Sequence, residues 1–254
     1  MRKQILKILF LCLMVLIPSI TFSQSKPQKN TNIKKEHQTN LKHSRNNVLN
    51  QQEINKKKTQ GYINGHEYVD LGLPSNLKWA TCNIGADNPY EPGDYFAWGE
   101  SYKKDGYFWH NYFDFSHFDY QKKVRCKKYT LNRHNDISPD SGNDVARNKW
   151  RASWRIPKEE EIIELIRCCQ FEFPYGQSCI KIIGPSGNFI ILPLTGKKCE
   201  NNILKEDWGY YWTSSRGVDM ADENAYMFCI SWHTGQQVWI SPRYWGACIR
   251  PVSF

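Results

Sequence analysis

The stretch 208–252, WGYYWTSSRGVDMADENAYMFCISWHTGQQVWISPRYWGACIRPV, constrains this chain more than any other. It holds five of the ten tryptophans, and its apolar residues recur at every second position between Gly and Pro breaks. That period belongs to short β-strands and not to a helix. Tyr226, Phe228, Ile230 and Trp232 alternate with Ala225, Met227, Cys229 and Ser231, which predicts a half-buried strand with its large residues on one face. His233-Thr234-Gly235 turns the chain, Val238 and Ile240 alternate with Trp239, and a strand over 247–252 closes it. The stretch reads as the C-terminal half of one domain, supplying both core and recognition surface.

Charge separates this domain from what precedes it. Of the formal +9, residues 1–23 contribute three basic side chains and no acidic one. Residues 24–60 contribute nine basic and two acidic ones, leaving 22 Lys and Arg against 23 Asp and Glu over 61–254. A nucleic-acid-binding fold carries its basic face on the fold itself, so a nucleic-acid partner is not expected. The opening MRKQILKILFLCLMVLIPSITFSQ has a basic start, a short apolar run and small residues at its end. It reads as a secretory signal peptide over 1–23, and its apolar run falls short of the ~20 residues of a membrane span. Residues 24–60, rich in Lys, Asn and Gln and without aromatics, read as a disordered basic spacer. Its Lys56-Lys57-Lys58 run suits a weak touch on an anionic surface, and more plainly a solvated linker. Eight cysteines follow the leader, an even number compatible with disulfides in an exported chain. No CxxC and no histidine pair has ligand spacing, so neither a metal nor a cofactor is expected.

The domain, 61–254, opens on a hairpin signal, Asn64-Gly65 between apolar runs. Val69 and Leu71, then Leu77 and Trp79, give two short strands separated by the Gly72–Ser75 turn. Residues 88–120 are aromatic but aperiodic, a long loop region carrying His110 and His117 as ordinary loop histidines. Pro157 suits the first position of a helix whose Glu159, Glu160 and Glu161 favour its positive end. Ile162, Leu165, Ile166 and Cys169 form its buried stripe, and a shorter helix over 144–150 precedes it. Gly184-Pro185-Ser186-Gly187 marks another hairpin, and Ser186 lies in no nucleophile elbow.

HEYVDLGLPSNLKWATCNIGA, EPGDYFAWGE, SWRIPKEEEIIELI, GYYWTSS and CIRPV together resemble the Fibrobacter succinogenes major paralogous domain, a family abundant in exported proteins of Bacteroidetes. The resemblance covers residues 62–253. The family is similar in turn to C-type-lectin-like domains, including the formylglycine-generating branch, through Trp154-Arg155-Ile156-Pro157 and Arg250. It implies an α+β, C-type-lectin-like domain with short antiparallel sheets, a central amphipathic helix and long loops, whose first and last strands pair.

The expected function is non-catalytic: binding or adhesion to a glycan or surface protein through an aromatic surface. The candidate binding residues are Trp208, Tyr210, Tyr211, His233, Trp239, Arg243, Tyr244 and Trp245, because ring faces stack on sugars and anchor interfaces. Trp232 is weighed with them but, like Trp212, is expected inside. Trp239, Arg243, Tyr244 and Trp245, near turns with polar neighbours, are expected at the surface. Calcium is not assigned: Glu91-Pro92-Gly93-Asp94 echoes one half of a lectin calcium site and no Trp-Asn-Asp follows. The alternatives are a structural cell-envelope role, with 24–60 as spacer, and a formylglycine-type oxidase holding Cu(I) on a close thiol pair, for which Cys229 and Cys248 lie in the right half.

Overall fold

In the computed structural model the described residues are 59–129, 136–218 and 222–254, all within the compact unit Gln51–Phe254. The expected signal peptide and nearly all of the expected basic spacer lie outside them. Small antiparallel sheets with two helices make a mostly-β α+β domain. In chain order come β1 (Gln60–Ile63), β2 (His66–Asp70), β3 (Lys78–Ala80), β4 (Phe115–Phe118) and β5 (Val124–Cys126). Helices α1 (Val145–Trp150) and α2 (Glu159–Cys168) follow, then β6 (Gln170–Glu172), β7 (Cys179–Ile183) and β8 (Phe189–Pro193). The chain ends with β9 (Lys197–Cys199), β10 (Asn202–Leu204), β11 (Trp208–Arg216), β12 (Asn224–Ser231), β13 (Gly235–Pro242) and β14 (Val252–Ser253).

The β1–β2 hairpin turns at Asn64 and Gly65, both at positive φ (48° and 83°), the backbone a two-residue turn of this kind requires. The terminal strand β14 pairs with β3, in the order β1–β2–β3–β14, so the first and last strands share a sheet without touching. The closing strand is also shorter than 247–252. Ala247 bonds Phe96 in both directions, and Cys248 bridges Tyr211 of β11, so 247–248 stitches two regions before β14 begins.

Helix α2 starts at Glu159, with Lys158 as its N-cap and Pro157 just outside. Pro157 therefore does not occupy the first helical position: its C=O accepts from Ser214 N–H at 2.8 Å, which ties it to β11. Asp144, fully buried, caps α1 by accepting Arg147 N–H at 2.9 Å, and its second oxygen accepts Ile156 N–H at 3.0 Å. One carboxylate thus fixes the spacing of the two helices.

The sheet β11–β12–β13 is the central wall. Alternation along β12 sends Phe228 and Ile230 into one apolar cluster and Ala225, Met227 and Cys229 into another. Ile162 and Leu165 of α2 pack in the first cluster; Phe96, Trp98, Trp154 and Trp212 fill the second. The strand expected to be half-buried is therefore covered on both faces. Trp232, expected inside, lies in the β12–β13 turn and is 43% exposed, because the last paired residues are Ser231 and Gly235. All eight cysteines of the domain are free thiols.

Candidate aromatic binding site

Residues 208, 210 and 212 of β11 point to the same side of the wall, and pairing continues that side through Cys229 and Met227 of β12. Their β13 partners are Gln237 and Trp239, which therefore share the face. Trp208 and Tyr210, two residues apart, stack at 5.8 Å and 11°. Lys205 Nζ lies 4.7 Å above the Trp208 ring. Lys197 Nζ lies 4.9 Å from the Tyr210 ring and 3.4 Å from the Trp245 ring. The result is an alternating row of Lys205, Trp208, Tyr210, Lys197 and Trp245, with Trp239 standing 61% exposed on the same sheet face.

The backbone sets this row. Lys198 and Gly246 exchange two hydrogen bonds, 2.7 and 2.9 Å, so β9 carries Lys197 directly to Trp245. A side chain at Gly246 would come within 2.7 Å of the Tyr107 ring, so that approach requires glycine. Lys197 and Lys205 have no carboxylate partner among the described residues. Burial, with a smaller push from Lys205, pulls the Lys197 ammonium down to about 8. The two ring faces oppose that pull, since an aromatic face favours the charged form. On either count Lys197 is a cation at neutral pH.

The eight expected site residues divide. Trp208, Tyr210 and Trp245 join the row, and Trp239 shares its face; Tyr210 is only 4% exposed, with Lys197 over its ring. His233 is exposed at the hairpin turn, Nε2 3.8 Å from Asp207. Half-buried Tyr244 packs on Trp109 at 4.8 Å, and its hydroxyl lies 3.7 Å from Cys199 Sγ. Tyr211 faces the other cluster, its hydroxyl donating to Pro193 C=O at 2.6 Å. Arg243, expected at the surface, is fully buried. Its guanidinium lies over Trp98 at 4.8 Å and donates to Tyr129 C=O at 2.6 Å and Asn224 C=O at 3.0 Å, with Asp114 at 3.8 Å. It is an internal tie because carbonyls and a ring replace its water.

Lys197 and Lys205 escape sequence reasoning, since a lysine beside a turn carries no mark of which ring a neighbouring strand will bring to it. Cys229 and Cys248 lie in different clusters, on opposite sides of the wall, and burial pushes each thiol up to about 12. They do not form a close thiol pair. Among the described residues no group of three or more His, Cys, Asp and Glu is placed to hold a metal ion. No family model, curated protein or solved structure matches the chain.

Proposed function

We propose that this is an exported, non-catalytic recognition module that holds a glycan on the aromatic row of its last sheet. The row itself carries the proposal: flat ring faces lie against ammonium groups that form no ion pair with a carboxylate among the described residues, beside an exposed indole. Sugar rings stack on indole faces, and the lysines suit a carboxylate or sulfate on the glycan. The five sequence blocks support membership in the Fibrobacter succinogenes major paralogous domain family and a C-type-lectin-like fold. The last strand's return to the first sheet supports that fold, though it pairs with β3 and not with the first strand as the resemblance implies. The basic-then-apolar opening supports export.

A screen of neutral and acidic glycans with the full mature chain tests the reading, comparing the wild type with Trp239→Ala and Trp245→Ala. Each variant is expected to bind about tenfold more weakly, equivalent to about 1.4 kcal/mol. For an acidic glycan the affinity falls as pH rises through about 8, because Lys197 is charged below that value and neutral above it. A glycan bound equally well by the wild type and both variants removes the row from the site.

A further inference from the structure

We propose that two copies of this chain pair edge to edge along β13, antiparallel, about a twofold axis through Val238. The wall runs β11–β12–β13, and the outer side of β11 is occupied by bridges from Gly196 and Cys248. Among the described residues no strand pairs with the outer side of β13. Arg243 N–H donates to Glu223 C=O at 2.8 Å, which marks that pair as hydrogen-bonded. Bonded and non-bonded pairs alternate along an antiparallel ladder. Ser241, Trp239 and Gln237 therefore bond to β12, while the N–H and C=O groups of Gln236, Val238 and Ile240 point outward. Those outward groups have no partner among the described residues.

Open edges are usually blunted by a charge, an internal proline or a bulge. Gly235–Pro242, GQQVWISP, carries no charged residue, pairs with β12 without a register shift, and has its proline only at the last position. A second copy is the occupant that this edge fits. With the axis at Val238, Gln236 meets the partner's Ile240, and Val238 meets the partner's Val238. Every outward donor then finds an outward acceptor, as a self-complementary interface requires. Moving the axis one residue, to Trp239, would set Gln236 against a proline that has no N–H. The Val238 register also sets each Trp239 directly across from the partner's Gln237. The inference does not depend on any ligand; in the dimer the two aromatic rows lie on one side of a continuous sheet.

Sedimentation velocity on the full mature chain without glycan, over a concentration series, tests it together with amide exchange. The wild type is expected to move from monomer mass toward twice that mass as concentration rises. Exchange at Gln236, Val238 and Ile240 slows over the same range. Val238→Pro removes one outward donor and no bond to β12, so it should remain monomeric with a wild-type near-ultraviolet spectrum. A wild type that stays monomeric throughout overturns the proposal. So does a dimer in which those three amides exchange as fast as in the monomer, a readout that stands even if Val238→Pro does not fold.

Discussion

Arg250 ties separate pieces of chain together from a buried position. It is 2% exposed, and burial pulls its guanidinium down to about 10, still far above neutral pH. Nε donates to Asn83 Oδ1 at 2.8 Å, one terminal nitrogen to Ala80 and Thr81 C=O at 3.0 and 2.7 Å, and the other to Ile191 C=O at 2.9 Å. The planar fork thus binds the end of β3, the loop after it and β8. A lysine supplies a single compact ammonium and cannot reach acceptors spread in that plane. Arg250→Lys should lower stability by about 3 kcal/mol, since each buried acceptor left unmet costs ~1–3 kcal/mol. An unchanged urea midpoint would show that the fork is not needed. Sequence pointed to Arg250 only through the family resemblance, and Arg243 it placed at the surface. Whether an arginine near the chain's end is wet or sealed depends on which distant carbonyls fold around it, and no local pattern encodes that.

At the scale of elements, the start of α2 joins two functions in one side chain. Glu161 accepts Lys158 N–H at 2.8 Å, closing the helix's first turn. Both its oxygens also take the Arg155 guanidinium, at 2.7 and 2.5 Å, with both side chains largely buried. Arg155 in turn exchanges two backbone bonds with Val252 of β14. Glu161→Ala leaves a buried guanidinium without its counter-charge, a loss of about 3–5 kcal/mol. Glu161→Gln keeps an acceptor for the cap and should lose clearly less; equal midpoints for the two variants would place the whole effect in the lost counter-charge and none of it in the helix cap. Elements with local chemistry were legible: the Asn64-Gly65 turn, the Gly184–Gly187 hairpin and the two helices. The hairpin of β9 and β10 was not, because its three-residue strands KKC and NIL carry no alternation. Yet it brings Lys197 to the aromatic row. The second buried face of β12 was equally hidden, since Ala225, Met227 and Cys229 look like the small side of a half-wet strand until Trp98, Trp154 and Trp212 are packed on them.

For the whole molecule, the sheet β11–β12–β13 makes two apolar clusters into one cooperative structure. Both clusters draw on β12, because successive residues of that strand serve opposite sides. The cysteines report on each side separately. Cys248 lies in the cluster with α2, Cys229 in the cluster with the tryptophans, and burial holds both as unreactive thiols pushed up to about 12. Two independent cores would open at different urea concentrations, and alkylation would reach one thiol before the other. A shared strand predicts that both become reactive at one midpoint, which coincides with the loss of the near-ultraviolet signal. Half-buried thiols such as Cys82 and Cys199 should label earlier, by local opening that leaves the transition intact. Cys229 labelling well below the Cys248 midpoint would show that the tryptophan side opens by itself, and the aromatic row would then stand on a separately unfolding layer.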